Sequence, residues 1–251
     1  MIRIFVGYDR RIAPAFQVLT HSITKRSTMP VSICPINLTN LDKLYTRETN
    51  PLASTEFAFS RFFTPYLSNY EGWSVFMDND FLCLDDIAKL WEMRDDKYAV
   101  MCVKHEHNPT EEKKFLGGVQ TKYEKKNWSS LIMFNNAKCK ALTPDYVNEA
   151  TGLQLHQFKW LGDDSLIGEI PETWNHLVGY TPYDETKLPS MLHYTEGGPF
   201  YYDYKDTQFA DLWFNEFVDS NTGEMSCADM TEEAMKYTQR NINVKKTGTI
   251  G

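Results

Sequence analysis

Trp73-Ser-Val-Phe-Met-Asp-Asn-Asp-Phe-Leu-Cys-Leu84 carries the clearest signal of the fold, because its apolar run Val75, Phe76 and Met77 stops abruptly at two carboxylates. A short run of β-branched and aromatic residues suits a strand covered on both faces, where alternation is not needed. In an extended backbone, residues two apart project to the same side. Asp78 and Asp80 then converge on one cation while Asn79 points away. Two hard oxygen ligands of this kind hold Mg²⁺ or Mn²⁺, with phosphate oxygens and water completing the shell. The simpler alternative makes these acids caps of the next helix. Asp85 and Asp86, just ahead of Ile87-Ala-Lys-Leu-Trp91, already serve that purpose.

Toward the N-terminus, Ile2 to Val6 is an apolar run opening at Gly7-Tyr8-Asp9, a first buried strand. Ala13 to Thr24 carries Phe16, Leu19 and Ile23 at helical spacing. Val31 to Ile36 reads as a second strand, and Pro35 places it at a sheet edge because proline cannot donate to the ladder. Leu38 to Tyr45 is a short helix or turn. Arg47 to Thr55 is a loop of the kind that closes over ligands. Glu56 to Leu67 has Phe59, Phe62, Phe63 and Tyr66 at helical spacing, with Pro65 awkward in its last turn. Arg61 in that segment has a planar fork able to reach a phosphate or an acid. Strand, helix, strand is the grammar of an α/β protein with a mostly parallel sheet, which binds ligands beyond the carboxyl ends of its strands.

Beyond the central stretch, Tyr98 to Val103 is a further strand leading to Lys104-His-Glu-His107, whose histidines are candidates for acceptor contact. Asn127, Ser129 and Ser130, ahead of the strand Leu131 to Phe134, offer neutral donors and acceptors suited to sugar hydroxyls. Pro144 to Glu149 reads as helical. Asp163 and Asp164 precede an apolar stretch read as helical, so one can cap it while the other faces the site. Met191 and Leu192 deliver His193 to a strand end, as a metal-ligand candidate. Gly197-Gly198-Pro199 then allows a tight turn or close approach to a phosphate. Ala210 to Phe217 and Thr231 to Arg240 read as helices, and Val244 to Gly251 as a loose end. The expected organisation is a nucleotide-sugar-binding catalytic domain over 1–200 and a helical extension over 201–251.

Composition narrows the function classes. The 251 residues carry a formal net charge of −8, and the lysine pairs Lys113-Lys114 and Lys125-Lys126 read as solvated loop charges, so nucleic acid is not an expected partner. An acidic protein handling an anionic nucleotide needs a bridging cation, in agreement with the paired acids. Cys34, Cys83, Cys102, Cys139 and Cys227 lack framework spacing and read as buried thiols of a reducing compartment. No signal-like or membrane-spanning run is present in the sequence, so the expected location is cytoplasmic.

The residues Ile4-Phe-Val-Gly-Tyr-Asp9, Phe59-Ser-Arg-Phe62, Phe76-Met-Asp-Asn-Asp80, Asn127-Trp-Ser-Ser130, Trp160-Leu-Gly-Asp-Asp164, Trp174-Asn175 and His193-Tyr-Thr-Glu-Gly-Gly-Pro199 together resemble a GT-A fold nucleotide-sugar glycosyltransferase. The pattern is most similar to the retaining enzymes of glycosyltransferase family 8, which includes glycogenin and bacterial lipopolysaccharide galactosyltransferases. The resemblance implies a metal set of Asp78, Asp80 and His193 holding Mn²⁺ or Mg²⁺. It matches Gly7, Tyr8 and Asp9 to the loop that holds the base and ribose, Arg61 to a contact with the phosphates or donor sugar, and Asp163 or Asp164 to an acid near the transferred sugar; the residues themselves add Asn79, Ser129, Ser130, Gly197 and Gly198 as donor-binding candidates and Asn127 as a further choice beside the sugar. The implied donor is a nucleotide-diphosphate sugar, a UDP-sugar foremost, and the acceptor is a glycan, a lipid-linked sugar or a small molecule. One departure stands out: the family's lysine before its final proline has no counterpart ahead of Pro199, leaving Lys205, Arg61 or the metal to balance the leaving diphosphate. Two rivals remain open. A nucleotidyltransferase would carry a glycine-rich loop where Tyr8-Asp-Arg-Arg-Ile12 stands, and a non-catalytic sugar-nucleotide or carbohydrate-binding protein would share the fold without turnover.

Overall fold

Strand β1 (Ile2–Gly7) and the helix after it, α1 (Ala13–Arg26), follow the expected pattern, and β2 (Val31–Ile36) lies parallel to β1 at the sheet edge, as Pro35 requires. The computed structural model describes residues 1–48, 55–106 and 124–222. Most of the loop 47–55, His107, the Lys113-Lys114 pair, Cys227, the helix expected over 231–240 and the end segment lie outside the described residues.

The segment 56–67 is not one helix. Turns run to a 3-10 helix, Ser60–Phe63, and then α2 (Thr64–Leu67) begins afresh with Pro65 in its first turn. Proline fits there because its missing N–H would be unbonded anyway. The break turns Phe57, Phe62 and Phe63 fully inward. Arg47 braces the neighbouring segment: its Nη1 donates to the carbonyls of Val147, Asn148 and Ala150 at 2.7–2.9 Å, at the end of a later helix.

The chain continues through β3 (Trp73–Met77), β4 (Phe81–Cys83), α3 (Ile87–Glu92), capped by Asp86, and β5 (Val100–Cys102). There follow β6 (Leu131–Asn135), α4 (Pro144–Glu149), α5 (Gly152–His156), β7 (Ile167–Glu169), β8 (His176–Leu177), β9 (Met191–His193) and α6 (Ala210–Thr222). The stretch after Asp164 forms a 3-10 turn and β7, not the expected helix. The apolar pair Leu166-Ile167 carries too little periodicity to separate the two.

The main sheet has the order β2-β1-β3-β6-β5-β7, with β6 alone antiparallel to its neighbours; a second, three-stranded sheet has the order β4-β9-β8. The fold is therefore mixed α/β with a mostly parallel central sheet. Apolar side chains fill both faces of the main sheet, Ile4, Val75 and Met133 on one and Phe5, Phe76 and Ile132 on the other. Helix α6 packs along α1. Its Trp213 sits against Val18, and the buried carboxylate of Glu216 is held by His21 Nδ1 at 2.6 Å and Arg26 Nη2 at 2.7 Å. Cys83, Cys102 and Cys139 are buried, whereas Cys34 is exposed because its side chain lies on the open edge strand. No helix among the described residues is long and apolar enough to cross a membrane.

Candidate active site

The two sheets meet at Asp78–Asp80. After β3 the chain leaves the main sheet, turns at Asn79 and Asp80, and enters the small sheet as β4. The expected extended geometry is thus replaced by a turn, because consecutive strands must join different sheets. Both ends of the turn are pinned. Asp78 N–H donates to the Ser130 carbonyl at 2.9 Å, and Tyr194 N–H donates to the Asp80 carbonyl at 3.0 Å. His193 is the cross-strand partner of Phe81, and their rings stack at 4.2 Å between centroids and 13° between planes. As a result, ligand atoms of Asp78, Asp80 and His193 all lie within 4.8 Å of one another.

The proton on His193 follows from its neighbours. Ser130 Oγ donates to the Asn127 carbonyl at 2.7 Å and so accepts from Asn175 Nδ2 at 2.9 Å. That fixes the Asn175 amide with Oδ1 toward His193 Nδ1, 2.9 Å away, so Nδ1 carries the proton. Nε2 then presents a lone pair to Asp80 Oδ1 at 3.4 Å, a buried oxygen that accepts no hydrogen bond. A cation held by these residues would relieve that opposition. Two carboxylates and an imidazole oriented from behind fit Mn²⁺ or Mg²⁺.

Arg61 is the acid-reaching fork expected from the sequence. Nearly fully buried, it pairs through Nη1 with Asp78 Oδ1 at 2.8 Å and donates to the Ser129 carbonyl at 2.7 Å. The rings of Phe57 and Phe76 flank the guanidinium. Ser129 Oγ lies 2.7 Å from Nδ1 of His156, whose ring sits against Phe59 and Phe62. Burial, reinforced by the positive charges of Arg61 and Lys126, holds His156 well below its ordinary pKa, so the ring is neutral and accepts the serine proton. Ser129 and Ser130 are therefore engaged inside the protein by their hydroxyls.

At the end of β1, Gly7 is required by packing, since a Cβ there would lie 2.3 Å from Phe57 Cγ. Tyr8 packs edge-on against Phe16. Asp9 is fully buried, and its oxygens accept from Arg11 N–H, Nε and Nη2 and from Glu56 N–H. Burial pushes the Asp9 carboxyl up, but these hydrogen bonds outweigh it and hold the pKa below its ordinary value. Burial, then the charges of Asp9 and Asp80 against that of Arg11, push the Tyr201 phenol up to about 12.

The remaining sequence candidates divide. Asn79 is buried, and neither end of its amide has a hydrogen-bond partner among the described residues. Asn127 adopts a left-handed conformation with φ 65° and receives Thr195 Oγ1 at 3.5 Å. A Cβ on Gly197 would strike the Tyr204 ring at 2.6 Å and one on Gly198 the Phe200 ring at 2.2 Å. Asp163 and Asp164 are exposed: Asp163 caps its turn through Ser165, and Asp164 pairs with Lys125 Nζ at 2.6 Å. Neither bonds to Asp80 or His193. Lys125 and Lys126 are not solvated loop charges, for Lys126 is buried and Lys125 also donates to the Gln157 carbonyl at 3.0 Å. His105 is buried as well, its carbonyl accepting from Trp128 Nε1 at 2.9 Å. Asn175, named in the sequence only within the Trp174-Asn175 motif and given no role, and His156 and Arg11, not selected, are the further residues that shape the site.

No protein-family model matches the chain. Protein CDI of Arabidopsis thaliana is 51% identical over 234 residues, 90% of each protein. The chain belongs to the Protein CDI family. Among solved structures, this family member is similar to the bifunctional glycosyltransferase WbbM, with a TM-score of 0.63 at 16% identity over 96% of the chain. It spans about half of that protein, 52%. The glycosyltransferase GlyE of Streptococcus pneumoniae TIGR4 gives 0.57 at 13% identity, covering 97% of this chain and 63% of its own. The galactosyltransferase LgtC, solved with donor and acceptor sugar analogs, gives 0.58 at 10% identity, covering 94% and 99%. The chain thus has the GT-A fold of these glycosyltransferases.

Proposed function

We propose that the chain is a metal-dependent glycosyltransferase that moves a sugar from a nucleotide-diphosphate donor, a UDP-sugar first among the candidates, to a glycan, lipid-linked or small-molecule acceptor. One observation carries this reading: Asp78, Asp80 and a lone-pair-bearing His193 converge where the two sheets of a glycosyltransferase fold meet. A divalent ion held there supplies Lewis-acid charge to the departing diphosphate.

The chain's own residues then have distinct tasks. Arg61 balances Asp78 and keeps that carboxylate aimed along the site. Phe81 and Asn175 hold the His193 ring in plane and tautomer. The unpartnered Asn79 amide offers a donor and an acceptor to the sugar nucleotide, and burial makes leaving it unmatched costly. Asn127, beside Thr195, flanks the transferred sugar in this reading. Asp163 and Asp164, the carboxylates that an inverting reaction would recruit as base, are exposed and engaged with Ser165 and Lys125. That favours retention, in which the acceptor proton passes to the departing phosphate. The experiment is a thermal-shift panel of nucleoside diphosphates with and without Mn²⁺. Stabilisation by one nucleotide that needs Mn²⁺ and disappears in Asp80→Ala supports the reading; the absence of stabilisation by every nucleotide overturns it.

A further inference from the structure

We propose that Arg11, clamped by Asp9 at the end of β1, is a cationic contact for the diphosphate of the donor. This rests on the donor reading above and adds a residue to it. Strands β1 and β3 are parallel neighbours with Val6 opposite Met77, so Tyr8–Arg11 and Asp78–Asp80 leave the same sheet edge side by side. The segment 56–61 ties the two loops together, with Glu56 N–H on Asp9 and Arg61 on Asp78.

Charge shows why a second arginine matters. Arg61 already balances Asp78, so a site holding Asp80, a divalent ion and a diphosphate gains negative charge as the sugar departs. Arg11 is a cation on the loop that follows the neighbouring strand. Asp9 needs no guanidinium to cap its turn, because the backbone N–H groups of Arg11 and Glu56 already bond it. The additional pair to Nε and Nη2 fixes the plane of the fork, with a buried carboxylate behind it and 43% of the arginine side chain exposed in front.

The test is calorimetric titration of the full chain in Mn²⁺ with UDP, GDP and ADP, each beside its monophosphate. Wild type is expected to prefer one diphosphate over its monophosphate, and Arg11→Gln to reduce that preference about ten-fold or more, as loss of a charge-assisted hydrogen bond requires. Arg11→Lys, which keeps the charge without the fork, is expected to fall between them and decides the matter if Arg11→Gln does not fold. A variant that melts earlier yet keeps the wild-type preference assigns Arg11 to structure alone and overturns the proposal. Wild type that binds no diphosphate overturns the donor reading itself, a different result from an unchanged preference.

Discussion

Replacing Asn175 by alanine tests how the site holds its histidine. Asn175 is fully buried and makes two hydrogen bonds, accepting from His193 Nδ1 at 2.9 Å and donating to Ser130 Oγ at 2.9 Å. Truncation strands the His193 N–H in a ring that is 2% exposed, at about 1–3 kcal/mol, and removes one ordinary bond from Ser130 at about 1 kcal/mol. The expected loss of about 2–4 kcal/mol lowers the melting temperature by about 4–16 °C in a domain of this size. The effect on metal is separable. Without its acceptor, Nδ1 no longer holds the proton, Nε2 becomes protonated in part of the population, and Mn²⁺ affinity falls by about 10–100-fold. Asn175→Asp restores an acceptor to Nδ1 and is expected to recover Mn²⁺ binding. Differential scanning calorimetry reads the first quantity and manganese electron paramagnetic resonance the second. If folded Asn175→Ala binds Mn²⁺ within about two-fold of wild type, this bond does not set the tautomer.

The packing and titration of the fold carry three further expectations. Gly7→Ala places a Cβ 2.3 Å from Phe57, which is fully buried, so overpacking of about 1–3 kcal/mol is expected as a melting point about 2–12 °C lower; an unchanged melt contradicts it. His156 is held below its ordinary 6.5, so the unfolded chain takes up a proton there before the folded one does. Its contribution to stability is fully present above pH 6.5 and is lost as pH falls below that value, at up to about 1.4 kcal/mol per pH unit. Urea titrations from pH 7 to 5 are expected to be flatter in His156→Gln, and equal slopes refute the assignment. Among the described cysteines, Cys34 is expected to react with iodoacetamide in the native protein, while Cys83 and Cys102, pushed by burial up to about 12, and the buried Cys139 react only on unfolding; mass spectrometry of the alkylated peptides decides it.

The strand ending just before Asp78 was legible because an apolar run that stops at two acids brings those acids to the rim of the sheet, and His193 because a strand and a glycine turn bracket it. Their convergence was implied by the family resemblance and by no local spacing. It depends on β4 and β9 forming a second sheet, and on a turn where an extended backbone was expected. Asn175 reaches Ser130 across 45 residues and His193 across 18, a pairing that no local spacing encodes. Lys125 and Lys126 looked like surface charge because adjacent basic residues usually are, yet the loop folds them inward, with Lys125 held by Asp164 and a carbonyl. The 56–67 segment shows the opposite failure. Phe59, Phe62 and Phe63 do face the core, but Tyr66, expected on the same face, is exposed, and Pro65 starts a helix there where it was read as straining the end of one.

Everything proposed for donor binding depends on Asp78, Asp80 and His193 holding one divalent ion. A manganese electron paramagnetic resonance titration of the full chain with and without UDP, on wild type, Asp80→Asn and His193→Ala, reads that ion itself. Wild type is expected to bind one ion, held more tightly when UDP is present, and each variant to bind it about ten-fold or more weakly. Variants that bind Mn²⁺ like wild type, or UDP that binds equally well in chelator and in Mn²⁺, would show that the three residues hold no such ion or that the donor does not need it.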